Sequence, residues 1–218
     1  MKAIIFDMDG VLINTEPLHY ECWKQTMADE GVDMTYDVYK QCIGSTIGYL
    51  MELLRNAYGD ISDDETLRTR MFAKKEAIVQ RDGFPPIAGV KEAVRRFYEE
   101  GFRLEVASSS AGYYIGRVLD ALDIHQYFEC YTSGEEVEYP KPAPDTFVRA
   151  MEKLNLKPED CLIVEDSTNG GKAAAAAGAK CVWFHNPDSG DQQIPHAALT
   201  ITSWSQENVE KIIELMRQ

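Results

Sequence analysis

Two aspartates stand two residues apart near the amino terminus, in Ile4-Ile5-Phe6-Asp7-Met8-Asp9-Gly10-Val11. The apolar run from Ala3 to Phe6 reads as a short buried strand, and Gly10 as the turn that ends it. Asp7 and Asp9 therefore crowd two negative charges at a strand end. Like charges that close raise each other's cost of ionisation unless a cation or a shared proton relieves them. Such a place suits a divalent metal, or one ionised and one protonated carboxyl. Asp-x-Asp-Gly is also a common surface turn, so the pair alone decides nothing.

Three later segments carry further chemistry. Leu104-Glu105-Val106-Ala107-Ser108-Ser109-Ser110 reads as a strand ending in hydroxyls. Tyr139-Pro140-Lys141-Pro142-Ala143-Pro144-Asp145 sets one lysine between prolines. Cys161-Leu162-Ile163-Val164-Glu165-Asp166-Ser167 is another buried strand, ending in two acids. Each has a plain structural alternative. The serines would cap the helix that begins with Tyr113 and Ile115, Lys141 would be a surface lysine, and Asp166 with Ser167 would cap the alanine-rich helix that follows. Capping and catalysis are compatible, because helix N-termini also bind anions.

The elements that must position these residues alternate. Strand-like runs fall at 3–6, 103–107, 129–132, 162–165, 181–184 and 199–202. Helical spacing separates most of them, as in Val90, Val94 and Phe97, in Phe147, Met151 and Leu154, and in Val209, Ile212, Ile213 and Met216. Buried strands alternating with helices imply a parallel α/β sheet. In an open sheet of that kind ligands bind at the carboxyl ends of the strands. The stretch from Glu16 to Phe84 breaks the alternation and holds helical patterns only. Leu18, Cys22, Trp23 and Met27 lie near one face, and Ile47, Leu50, Met51 and Leu54 make a second stripe. A third helix starts at the capping box Ser62-Asp63-Asp64-Glu65 and carries Leu67, Met71 and Ile78. The expected organisation is a core of residues 1–15 and 85–218 with an all-helical insert at 16–84. Its hinges are expected near Asn14–Glu16 and Asp82–Pro86.

With 218 residues the chain can bury a substantial core. A net charge of −14 argues against a nucleic-acid or anionic-membrane partner. An anionic substrate would then need local positive charge from metal and lysine. No apolar run approaches the roughly 20 residues of a membrane span, and no basic leader precedes the first strand. Five scattered cysteines lack any Cys-x-x-Cys pairing, and Cys161 and Cys181 each open an apolar strand. They read as buried thiols, and a cytoplasmic monomer is the simple expectation.

In their order and spacing, Asp7 to Val11, Ser108, Lys141 and Glu165 to Gly170 resemble the haloacid dehalogenase-like hydrolase superfamily, in its β-phosphoglucomutase-like phosphatase branch. The resemblance runs from Met1 to about Trp204. It implies a Rossmann-like parallel-sheet core with an inserted helical cap that opens and closes over the site. It makes Asp7 the nucleophile that becomes an aspartyl phosphate, and Asp9 the general acid and then the base for water. Ser108 and the amide of Ser109 would hold the phosphoryl oxygens, and Lys141 would neutralise charge. Mg2+ would be held by Asp7, the backbone carbonyl of Asp9, and Asp166, with Glu165 as a further ligand or partner. His19, ten residues after Asp9, matches a histidine that faces the reaction site; read alone it is a surface helix histidine. His125, His185 and His196 match no motif.

Departures from the family pattern bear on substrate. The sugar-phosphate mutases carry an arginine three residues after a cap glycine, where Gly44-Ser45-Thr46-Ile47 has isoleucine. They also carry a lysine three residues after the second-motif serine, where this chain has Ala111, followed by Gly112. Asn14 stands where aspartate is frequent, and Gly171 where an aliphatic residue is. Without those two cationic anchors a bisphosphate intermediate is poorly held. The expectation is a phosphatase for small phosphorylated metabolites, with a β-phosphoglucomutase-type isomerase as the alternative and a non-catalytic phosphometabolite-binding protein behind both. Dehalogenases and phosphonatases lack an aspartate at the place of Asp9.

Overall fold

The computed structural model describes residues 2–43 and 47–218. The chain divides into two compact units, Met1–Asn14 with Pro86–Gln218, and Thr15–Pro85. The first opens with β1 (Ala3–Phe6). The second is helical, with α1 (Thr15–Asp29), the short α2 (Tyr36–Tyr39), α3 (Ile47–Tyr58) and α4 (Asp64–Asp82). The first then resumes with α5 (Val90–Glu99), β2 (Arg103–Ser108), α6 (Gly112–Ala121), β3 (Cys130–Ser133) and α7 (Asp145–Leu154). It finishes with β4 (Cys161–Glu165), α8 (Thr168–Ala176), β5 (Lys180–Phe184), β6 (Leu199–Ile201) and α9 (Gln206–Arg217).

The sheet order is β3-β2-β1-β4-β5-β6, with every neighbouring pair parallel. β1 is buried at every residue, as expected of a strand covered on both faces. One face packs Ile5, Ala107 and Ile163 against Phe147, Met151 and Ala173 from α7 and α8. On the other, the Phe6 ring meets Phe97 of α5, Phe128 and Trp204, with centroids 5.8–6.1 Å apart. Deleting a ring so enclosed costs about 3–5 kcal/mol. The sheet is thus the middle layer of an α/β/α sandwich, and β1 is the strand from which the order departs in both directions.

Two expected boundaries change for identifiable reasons. β2 continues one residue further, because Ser108 pairs with Ser133 on β3. The capping residue of α4 is Asp63 and not Ser62: the Asp63 carboxylate accepts from the Thr66 amide at 2.9 Å. Ser62 is engaged elsewhere, its amide and hydroxyl both donating to Glu30 at 2.9 Å. Gly44, Ser45 and Thr46 lie outside the described residues, while Ile47 opens α3 with its side chain largely exposed. No helix among the described residues is long and apolar enough to cross a membrane.

One buried charge stands apart from the motifs. Glu105, in the middle of β2, is wholly buried; its Oε1 accepts from the Thr132 hydroxyl at 2.6 Å, and its Oε2 has no hydrogen-bond partner among the described residues. Burial pushes its carboxyl up to about 7, against the pull of the Thr132 hydrogen bond. The folded protein therefore holds this proton more tightly than the unfolded chain does. That contribution to stability is complete below the ordinary value of 4.5 and is lost as pH rises through about 7. Glu105→Gln is expected to flatten part of the fall in Tm between pH 5 and pH 8, measured by thermal scans of the two proteins side by side.

Candidate active site

The neighbouring strands β2, β1 and β4 deliver their carboxyl ends to one place. Phe6 is in register with Val106 and with Val164, so Asp7, Ser108 and Asp166 all leave the sheet on the same edge. The amide of Asp7 still bonds to the Val164 carbonyl at 2.9 Å, which fixes its direction as it leaves β1. Asp7, Glu165 and Asp166 each bring a carboxylate oxygen within 4.8 Å of the others, and all three are buried.

Lys141 enters this cluster from the loop before α7. Its side chain is 6% exposed. The ammonium donates to Asp7 Oδ1 at 2.6 Å, to Glu165 Oε1 at 3.0 Å and to the Ala107 carbonyl at 3.1 Å, which engages all three of its protons. It also lies 4.4 Å from the centre of the Phe147 ring. Burial works against its charge, but the Asp7 and Glu165 carboxylates outweigh burial and raise its pKa. The surface-lysine reading of Lys141 does not hold.

The acids are held just as closely. Glu165 Oε2 accepts from the amide and hydroxyl of Ser167 at 2.7 and 3.0 Å. Ser167 in turn caps α8, accepting from the Gly170 amide at 3.0 Å. Ser189 donates to Asp166 Oδ2 at 2.5 Å. Glycine is required at two points of this cradle. A methyl group on Gly170 would lie 1.7 Å from Glu165 Oε1, and one on Gly10, whose φ is +86°, would lie 2.0 Å from Asp166 Oδ2. Burial pushes Asp7 up to about 7; Lys141 opposes this, while Glu165 and Asp9 add to it. Asp166 is raised in the same direction by burial first, then by Glu165 and Asp7.

Three carboxylates facing one ammonium leave two negative charges uncompensated when all are ionised. The donor atoms are hard oxygens, without sulfur or imidazole among them. This set fits a divalent cation that prefers oxygen ligands.

The remaining expected site residues fall as follows. Ser108 is buried at the end of β2, and its hydroxyl accepts from the Ser110 amide at 3.1 Å. Ser109 is exposed. The serines do not cap α6: the residue there is Ala111, and Ser110 is tied back through its carbonyl to the Ser133 hydroxyl at 2.8 Å. Asp9 is half-buried with its carboxylate outside the three-acid group, where Oδ2 accepts from the Ser110 hydroxyl at 3.0 Å. His19 lies in the helical unit, with its Nε2 3.1 Å from Nζ of Lys75. That unit carries an open pocket of about 280 Å³ whose lining includes His19, Trp23, Ile47, Phe72 and Lys75.

Three contributors escaped the sequence reading. Ser110 and Ser189 have no signature, since serines are frequent and their partners lie 101 and 23 residues away. Lys75 did leave a trace. It interrupts the row Leu67, Met71, Lys75, Val79, whose members recur every four residues and are all buried.

Comparison with known proteins follows this geometry. A family model described as haloacid dehalogenase-like hydrolase matches residues 4–184. The chain is 28% identical over 221 residues to a phosphorylated carbohydrates phosphatase from Thermotoga maritima, covering 100% of this chain and 99% of that one. It is 32% identical over 190 residues to hexitol phosphatase B of Escherichia coli K12, covering 86% and 85%. Among solved structures, CbbY from Rhodobacter sphaeroides in complex with xylulose-1,5-bisphosphate superimposes with a TM-score of 0.79 at 24% identity, over 94% of this chain and 96% of that one. A β-phosphoglucomutase from Clostridium difficile gives 0.76 at 23% identity, over 100% and 97%, and with CbbY it speaks for the fold.

The uncompensated acids generate a direct expectation. A divalent cation at about 100 times its dissociation constant stabilises the folded state by about 2.7 kcal/mol, a rise in Tm of roughly 5–10 °C for a chain of this size. Asp166→Asn is expected to remove most of that rise while still folding, as read in thermal scans with EDTA or with added cation. An equal rise in the variant would place the cation elsewhere.

Proposed function

The chain belongs to the haloacid dehalogenase-like hydrolases and is a phosphatase of their β-phosphoglucomutase-like branch; we propose that it hydrolyses monophosphate esters of small metabolites, sugar phosphates foremost, that its cation is magnesium, and that Asp7 carries the phosphoryl group between the two half-reactions. The observation that carries this reading is the Lys141 ammonium bridging Asp7 and Glu165 inside a buried, acid-rich strand-end pocket. An ordinary structural salt bridge would not leave two negative charges in excess of its cation when all three carboxylates are ionised.

In the first half-reaction a carboxylate oxygen of Asp7 attacks phosphorus and the bond to the leaving alcohol breaks. Asp9 gives that oxygen its proton, so the alcohol departs neutral. In the second, Asp9 takes a proton from water as the water attacks the aspartyl phosphate, which returns Asp7 and releases inorganic phosphate. Ser108 and the Ser109 amide hold the transferring oxygens. Lys141 is positioned before reaction begins, so its charge acts on the transition state without reorganising. Magnesium, held by Asp7, Asp166, the Asp9 carbonyl and the Glu165 side, would supply further positive charge to the phosphoryl oxygens and help keep Asp7 ionised at neutral pH. Acid–base catalysis contributes on the order of 100- to 10,000-fold, so most of the acceleration must come from this charge arrangement.

The helical unit serves as a cap that admits substrate and then excludes water. Its pocket takes the organic part of the ester, with His19 and Lys75 as polar contacts and Ile47 and Phe72 as apolar ones. The two positions expected to anchor a second phosphate lack charge, and Lys75 is a cation in the pocket lining. Ile47 is apolar, and Ala111 is the neutral residue before α6.

Two expectations test the proposal. Asp7→Asn is expected to reduce turnover to background with Tm preserved or raised, and Lys141→Met to lower kcat by about 100- to 1,000-fold. Both are read by phosphate release with Mg2+ present, and full activity in Asp7→Asn would end the covalent mechanism. Supplied with β-glucose 1-phosphate and a bisphosphate primer, the wild type is expected to release phosphate and form little glucose 6-phosphate. Efficient primer-dependent isomerisation would reassign it as a mutase.

A further inference from the structure

The turn that follows β5 touches the site from a side that none of the motifs covers. Pro187–Ser189 forms one helical turn behind Asn186. Asn186 is 4% exposed, and its amide group donates to the Gly10 carbonyl at 3.1 Å and to Asn14 Oδ1 at 3.2 Å. Its own Oδ1 accepts from the Asp188 amide at 3.0 Å. The amide group of Asn14 donates to Asp188 Oδ2 at 2.6 Å. One residue further on, Ser189 is 5% exposed and donates to Asp166.

We propose that the turn Asn186–Ser189 is a positioning device that ties the exit of the Asp9 loop at Asn14 to the orientation of Asp166, and that asparagine at position 14 is what makes the tie possible. The orientation of Asn14 follows from its partners. Asp188 is an acceptor only, so it must face the amide nitrogen of Asn14, which leaves the Asn14 oxygen for the Asn186 amide. Aspartate at 14 could still accept from Asn186 but would set its second oxygen against the Asp188 carboxylate, where two like charges meet in a half-buried place. Asn14 is the last residue of the first unit before Thr15 opens the second. Any shift of the chain at that point must break the bond to Asp188 or carry Asp188 with it. Asp188 is the chain neighbour of Ser189, whose hydroxyl donates to Asp166. Asn14, Asp188 and Ser189 are therefore positioning residues that act through Asp166. The activity arm of the test rests on the magnesium-dependent phosphatase reading; the stability arm does not.

The test is a reciprocal exchange. In EDTA, Asn14→Asp, which sets two carboxylates against each other in place of a charge-assisted hydrogen bond, is expected to lower Tm by about 5 °C, and Asp188→Asn, whose amide oxygen can still accept from Asn14, by a smaller amount. The double exchange, which restores one carboxylate and one amide with their places reversed, is expected to regain most of that loss. With Mg2+, Asn14→Asp and Ser189→Ala are expected to raise the half-saturating Mg2+ for phosphate release by about tenfold, with KM for substrate unchanged at saturating Mg2+. The exchange should bring the Mg2+ requirement back. Should a single variant fail to fold, recovery of folding in the exchanged pair supports the tie, and failure of both overturns it. Additive losses in the double exchange, or an unchanged Mg2+ requirement in Asn14→Asp and Ser189→Ala, would also overturn it. If the wild type shows no Mg2+-dependent phosphate release, the phosphatase reading fails, and the Tm exchange alone decides the tie.

Discussion

One ammonium among three carboxylates governs this site. Lys141 is the sole cation within hydrogen-bond reach of Asp7 and Glu165 among the described residues, and it spends every proton on them and on the Ala107 carbonyl. Removing two or more charges from water costs several kcal/mol per ion unless partners replace the lost hydration. The surrounding structure provides those partners one by one. Ser167 serves Glu165, Ser189 serves Asp166, and the absence of side chains at Gly10 and Gly170 lets backbone approach where a methyl would collide. Burial first, and then the neighbouring carboxylates, raise the pKa of Asp7 and Asp166, and a divalent cation would relieve that cost.

The parallel sheet is what allows so many charges to converge without unfolding the core. β1 and β4 are apolar up to their last residues and give way to acids only at the edge, so most of the cost of burying acids falls at one end of the sheet, with Glu105 in mid-β2 the exception. β1 lies between β2 and β4, and its polar tail neighbours theirs by topology although each is more than 90 residues from it in sequence. Capping adds to this economy. Ser167 bonds to the first turn of α8 and to Glu165 together, so one side chain ends the loop, starts the helix and fixes an acid.

Much of this architecture was legible in the sequence, and the reason is periodicity. A buried parallel strand is a continuous apolar run, and an α-helix packed on it repeats every three or four residues. Those signals place all six strands within a residue or so and separate the helical stretch from the sheet. Asp7, Glu165 and Asp166 were legible because they stand at the ends of such runs, and Lys141 because its place between prolines fits the family's motif order. What escaped depends on contacts between residues distant in the chain. Ser189, Asn186 and Ser110 matter through a rotamer and a partner, neither of which leaves a pattern in neighbouring residues. The α4 cap was misplaced for the same reason: Ser62 is a good capping residue, but Glu30, 32 residues earlier, claims its hydroxyl. Glu105 is the opposite case, a charge placed in plain view inside an apolar strand, whose burial only the fold discloses.

The choice between hydrolysis and isomerisation turns on charge placed away from the reacting phosphorus. Under the proposed mechanism both outcomes share the first half-reaction, since each begins with a phosphoryl group moved to Asp7. They part when the aspartyl phosphate must wait for either water or a second face of the same sugar phosphate. Waiting for the sugar requires that its remaining phosphate be gripped while it turns, and a phosphate carries close to two negative charges at neutral pH. On a chain whose net charge is −14, long-range attraction will not hold such a group. The grip would have to be local and cationic, yet Ile47 and Ala111 offer a hydrocarbon and a methyl. In the same proposal water needs no grip, only Asp9 as its base. On the proposed reading, the same excess of acids that calls for a cation at the site therefore also favours release of the product over its return.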